Sequence, residues 1–244
     1  MTATSAPSQV LNMLVDWDNV HPLWRNRGVA HVVATCLSRL DVAAVPPVRR
    51  IKARLYGGWF REGGLSRVAQ TLVPQLEQEF PRAEQLWKNV QTSVEVELAR
   101  SIAQAPTATY THTFRERGAS GQIVCAPLPF VGCRNPGACP IAHLHRFFDA
   151  DSCSEPLCAV SRDSVLSKPE QKLVDTMLAV DLAYFSRFPN RWIAVVSADD
   201  DFFPAIHAAI MNGASVLHVH PKPGSTSPGY YARLFAERYM QATF

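Results

Sequence analysis

The sequence predicts an α/β protein built on a mainly parallel sheet, and three observations carry that expectation. Short apolar runs of strand length alternate with stretches of helical periodicity along most of the 244 residues, the pattern of repeated strand–helix units covered on both faces. Two of the runs end directly in clustered acids, LNMLVDWDN at Leu11–Asn19 and WIAVVSADDD at Trp192–Asp201. Such clusters belong at the carboxyl edge of a parallel sheet, where ligands bind. Hydrophobic residues make up 47% of the chain and charged ones 18%, enough apolar material for one generous core.

The elements follow in order. Residues 1–9 read as a polar tail, Val10–Val15 as a buried strand, and Asp16–Pro22 as the turn after it. Val29–Leu40 has helical spacing; Ile51–Gly57 alternates as a strand and stops at Gly57-Gly58. Leu65–Phe80 is an amphipathic helix ended by Pro81, and Ser93–Leu98 a period-two strand. From about 103 to 166 the rhythm breaks into proline, glycine, cysteine and histidine, so a single domain over 10–244 would carry an insertion there. Ser167-Lys-Pro-Glu170 has the form of a capping box with an early proline, which predicts a helix from Ser167 to about Phe188. Trp192–Ser197 is then a strand, Phe202–Met211 a helix stopped at Asn212-Gly213, Val216–His220 a strand, and Tyr230–Gln241 a terminal helix.

Charge and cysteine content exclude several classes. No apolar run reaches the length of about 18 residues that a membrane helix needs, and Met1–Gln9 lacks the basic start and apolar stretch of a signal peptide; a cytoplasmic protein is expected, with no membrane partner. Six cysteines do not make a disulfide scaffold in a chain of this size. The net charge of +3 is compatible with a polyanion but does not argue for one. Arg25, Arg27, Arg49, Arg50, Lys52, Arg54, Arg61 and Arg67 concentrate in the first 70 residues, as either a phosphate-binding patch or a solvated face.

The acids carry the functional signal. Any one of these aspartates alone would read as a helix cap or turn residue. Together, Asp16, Asp18 and Asn19 follow one strand and Asp199, Asp200 and Asp201 follow another. KLVDTMLAVD at Lys172–Asp181 brings Asp175 and Asp181 on a helix. Crowded carboxylates repel and desolvate at a cost, so a hard cation such as Mg²⁺ or Mn²⁺ is expected among them.

Those motifs resemble a family. VDWDN after a strand, KLVDTMLAVDL on a helix, and VVSADDDFFPAI followed by NGASVLHV are similar to the NYN domain, a branch of the PIN-like ribonuclease superfamily that includes bacterial LabA-like proteins; RLYGGWF is similar to its second strand. The likeness spans roughly residues 10–100 and 165–220. It implies a three-layer α/β/α sandwich and a Mg²⁺- or Mn²⁺-dependent ribonuclease site. Asp16, Asp175, Asp199 and Asp201 match the catalytic acids, and with Asn19 they match the metal shell. Asp181 fits the helix's second acid, although its stripe of Val174, Met177, Leu178 and Phe185 suits a core anchor equally. Trp17 and Ala198 depart from the family's small residue and glycine without removing an acid. Lys172 is placed to meet a phosphate or to pair with Asp175. The implied substrate is RNA, single-stranded if Trp17, Trp24 or Trp59 stacks on bases; endo- or exonucleolytic action, a homo-oligomer and a protein partner stay open.

Two other readings stand beside this one. Asp16-Trp-Asp18 also resembles the haloacid-dehalogenase phosphatases, and a catalytically silent RNA- or protein-binding module would keep the same fold. In the insertion, Cys125, Cys133, Cys139, His143, His145, Cys153 and Cys158 offer ligands for a structural Zn²⁺, with Cys133, Cys139, Cys153 and Cys158 the expected set; ordinary buried cysteines are the alternative.

Overall fold

The computed structural model describes residues 10–61, 63–118, 134–135, 138–139, 141–150, 152–153, 155, 157–165, 167–171, 173–189, 191–222, 224, 233 and 237–244. The chain forms two compact units, one running to Thr113 and resuming at residue 172, the other Phe114–Gln171. In the first unit the elements are β1 (Val10–Asp16), α1 (Pro22–Arg25), α2 (Val29–Ser38), β2 (Arg50–Tyr56), the short β3 (Phe60–Arg61) and β4 (Gly64–Leu65), α3 (Arg67–Glu79), β5 (Arg82–Trp87) and β6 (Val90–Leu98). The second unit contains β7 (Phe114–Gly118), α4 (Ile141–Ala150), α5 (Arg162–Val165) and β8 (Ser167–Gln171). The first unit then continues with α6 (Val174–Ser186), β9 (Trp192–Val196), a 3₁₀ turn at Asp200–Phe202, α7 (Phe203–Met211), β10 (Ser215–His220) and β11 (Tyr239–Thr243).

Seven strands form the central sheet in the order β11-β10-β9-β1-β2-β6-β5. All neighbours run parallel except β5, which pairs antiparallel with β6. The α/β class and mainly parallel sheet therefore agree with the sequence expectation. Alternation on β1 explains its composition. Leu11, Met13, Val15 and Trp17 enter the core shared with α2 and α3, and Leu14 enters the opposite core with α6 and α7. Asn12 and Asp16 have the parity of Leu14, so Asp16 faces the side of the sheet that α6 covers.

Chain order reverses at the β1–β9 pair: from β1 the strands step one way to β2 and β6, and the later strands β9, β10 and β11 lie on the other side. A parallel sheet opens a crevice at such a switch point, beyond the carboxyl ends of its two strands. Asp16 ends β1, and Asp199 follows β9 by three residues.

Two expected elements differ, and one strand was not expected. Ser167–Gln171 is a strand paired with Phe114–Gly118, because the cross-strand ladder outweighs a local capping signal; the helix begins at Val174 after Leu173, whose φ of 71° breaks the chain direction. The expected terminal helix is replaced at its end by Tyr239–Thr243, which adds a parallel edge strand beside β10; residues 230–232 and 234–236 of that expectation lie outside the described residues. β5 was absent from the sequence expectation. Its hairpin with β6 turns at Lys88-Asn89, where Asn89 takes a φ of 62°, a left-handed conformation asparagine tolerates.

Candidate active site

Asp16 is the most constrained acid of the cluster at the switch point. It is 2% exposed, accepts from the Asn19 side-chain amide at 2.5 Å and the Ser197 hydroxyl at 2.8 Å, and receives the Asn19 backbone N–H at 3.3 Å. Burial pushes its carboxyl up to about 6, against those hydrogen bonds, and the nearby Asp175 charge pushes the same way. Asp175, in the first turn of α6, is raised as well. Partial loss of solvent acts first, then the charges of Asp199, Asp18 and Asp201. Acids from β1, α6 and the β9 exit thus share one electrostatic neighbourhood.

Asp199 caps the 3₁₀ turn. Its side chain accepts from Asp201 N at 2.9 Å, and its own N–H donates to Ser197 Oγ at 3.1 Å. Asp200 and Asp201 are exposed. Asp18 faces β2, accepting from Gly58 N at 3.1 Å and lying 3.6 Å from Arg25. Asp181 is fully buried away from the cluster and accepts from Tyr56 OH and Ala103 N, both at 2.6 Å, with Arg54 at 3.5 Å. It is a core anchor.

Three contributors escaped sequence reasoning. Ser197, within VVSADDD, bonds both Asp16 and the Asp199 backbone. His218 touches the Ser197 carbonyl through Nε2 at 3.0 Å and Tyr239 OH through Nδ1 at 2.8 Å. Because a carbonyl only accepts, Nε2 carries the proton and Nδ1 accepts from the tyrosine. Burial, then the neighbouring His220, lowers His218 to about 3, so the ring is neutral. Lys222, just beyond β10, donates to Asn19 Oδ1 at 3.2 Å. Its signal was positional, since every strand exit on this edge is a candidate.

The remaining expectations divide. Trp17 and Trp59 are 2% and 1% exposed, which removes them as stacking platforms; Trp24 is half-buried, stacked on His31 with Arg27 over its ring. Three of the basic residues have acidic partners: Arg50 and Lys52 lie against Glu95, and Arg54 against Glu97 and Asp181. Lys52 and Arg54 line a hollow of about 320 Å³ with Asn12, Tyr184 and Phe185, its charges answered internally. Cys125, Cys133 and Lys172, and the side chain of His143, lie outside what the structure describes. Cys139, Cys153 and Cys158 are free thiols.

Among the described residues no three Asp, Glu, His or Cys side chains converge closely enough to hold a metal ion between them. The donor set nevertheless fits a hydrated one. Mg²⁺ retains several waters and takes one or two carboxylates directly, and Asp175, raised first by burial and then by the charges of Asp199, Asp18 and Asp201, sits where a divalent ion would lower that repulsion. No family model matches the chain, and neither a curated protein nor a solved structure matches it significantly.

Proposed function

We propose that this chain is a metal-dependent nuclease of the PIN-like, NYN type that hydrolyses phosphodiester bonds in RNA. The observation that carries this is geometric: Asp16 at the end of β1 and Asp199 beyond β9 flank the switch point and are joined through Ser197 Oγ, and Asp175 in the first turn of α6 lies close enough to feel the charge of the cluster. Asp16 and Asp175 would hold Mg²⁺ or Mn²⁺ directly, and Asp199 and Asp201 would act through water. The ion would supply Lewis acidity at the scissile phosphate and an activated water. Ser197 and Asn19 orient Asp16 and favour its ionised form.

The haloacid-dehalogenase reading leaves the acidic helix carrying Asp175 without a use, and Asp18 has a local structural role, accepting from Gly58 N and pairing with Arg25. A silent binding module is favoured by one observation, the lack of a ready three-ligand group among the described residues. Incubating a fluorescent single-stranded RNA with the full chain and Mn²⁺ separates the two. Cleavage that requires the metal and is lost in Asp175→Asn and Asp199→Asn supports the nuclease. If the wild type leaves the RNA intact while Mn²⁺ is bound, the silent module is the better description.

A further inference from the structure

We infer that Lys222 is the residue that grips the RNA phosphate, and that Asn19 aims it. The inference rests on the nuclease reading and gives that site its anion-binding half. Asn19 divides its side chain between two charges: its amide nitrogen donates to Asp16 and its amide oxygen accepts from Lys222 Nζ. The ammonium is thereby held one amide away from the most constrained acid of the cluster.

Ordinary ion pairing does not account for this placement. Lys222 makes no salt bridge within 4.0 Å among the described residues, although carboxylates from three elements crowd the same edge. It is exposed, and its contact with Asn19 uses one of the three donors an ammonium carries. Among the described residues, Arg25 also lies near this edge, but it pairs with Asp18. Lys222 also enters from β10, the strand beyond β9, so it approaches from the side opposite β2. A phosphodiester seated over the acids needs positive charge on two sides: a divalent ion toward the carboxylates and a donor toward its outer oxygen, where negative charge grows as water attacks. Lys222 is that donor, and the ligand class is a phosphodiester anion.

The test uses the full chain and a fluorescein-labelled single-stranded RNA oligonucleotide, with Ca²⁺ replacing Mn²⁺ so that binding is read without cleavage. Fluorescence anisotropy across a salt series compares wild type, Lys222→Ala and Lys222→Arg; Mn²⁺ affinity without RNA is measured alongside. Lys222→Ala is expected to weaken RNA binding several-fold, on the order of tenfold, and to reduce the log–log salt slope by about 0.7, the share of one phosphate on a single strand. Lys222→Arg should keep the slope, and neither change should weaken Mn²⁺ binding. Wild-type RNA affinity and slope in Lys222→Ala overturn the assignment, as does an effect confined to tighter Mn²⁺ binding, which would make Lys222 a mere counter-ion of the acids. A wild type that cleaves while Lys222→Ala binds RNA normally sinks Lys222 alone. One that binds RNA with the Lys222-dependent slope, takes up Mn²⁺ and never cleaves sinks the nuclease alone.

Discussion

Deprotonating Asp16 should destabilise the metal-free protein, and the size of the effect follows from its surroundings. The carboxyl is raised from 3.8 to about 6 in the fold, so between those values the folded state binds more protons than the unfolded state. Stability then falls as pH rises through that window and levels off above it. A tenfold difference in proton affinity between the two states is worth about 1.4 kcal/mol, so this one group accounts for a loss of about 2 kcal/mol on going from pH 4 to pH 8. Asp16 is 2% exposed, so solvent screening takes little from this figure.

The comparison with Asp16→Asn isolates the group from the other acids. The new amide oxygen can still accept from Asn19 Nδ2 and Ser197 Oγ, leaving the weaker 3.3 Å contact with Asn19 N as the loss. Urea unfolding in EDTA at pH 4, 5, 6, 7 and 8 should show the wild type losing about 2 kcal/mol relative to the variant across the series. Adding Mn²⁺ at pH 8 should restore wild-type stability by about 2.7 kcal/mol at one hundred times its Kd and leave Asp16→Asn nearly unmoved. A wild-type-minus-variant difference that is flat with pH would refute the burial argument. Equal rescue of both proteins by Mn²⁺ would remove Asp16 from the metal's shell.

Other perturbations test the supports separately. Asp181→Ala leaves the Tyr56 hydroxyl and the Ala103 N–H without their acceptor, while Arg54 keeps Glu97 and the Ser101 carbonyl, and should cost about 2–4 kcal/mol in urea unfolding without changing Mn²⁺ affinity; a specific loss of Mn²⁺ binding would return Asp181 to the site. Gly57→Ala places a Cβ 2.7 Å from the Trp59 ring and should cost about 1–3 kcal/mol, read as a lower thermal midpoint; an unchanged midpoint would show that the ring yields freely. Tyr239→Phe removes the donor to His218 Nδ1 and should cost about 1–3 kcal/mol, with Mn²⁺ affinity falling if the His218–Ser197 contact steadies Asp16. Retained stability and affinity would leave that chain of bonds without consequence.

Local chemistry made some features legible in the sequence, and pairing partners hid the rest. β1 and β9 were readable because both are apolar runs closed by acids, and a buried parallel strand offers few other solutions. Ser167–Gln171 differs from its expected helix because a capping-box pattern is a local signal, whereas its strand state depends on a partner about fifty residues earlier in the chain, Phe114–Gly118. Tyr239–Thr243 gains its state the same way, from the edge of β10. Trp17 looked like a departure at the site, yet period-two alternation alone puts it on the face opposite Asp16, with Met13 and Val15. Lys222 could not be placed from sequence, because its meaning depends on β10 lying beside β9 and bringing its exit toward Asn19.

The two aspartates of α6 show why acidity alone does not define such a site. Asp175 and Asp181 share one helix, and burial raises the carboxyls of both. Around Asp181, the Tyr56 hydroxyl, the Ala103 N–H and Arg54 oppose that rise, so the fold itself supplies the charge with partners. Around Asp175 every further influence is another carboxylate and pushes the same way. An acid answered within the fold serves stability; one surrounded by like charge is left to be answered by something the chain does not contain. Their positions follow from the run of α6 along the sheet. The helix starts at the switch-point edge, where strand ends and solvent meet, and within two turns it lies over β2, where Tyr56 and Arg54 reach Asp181.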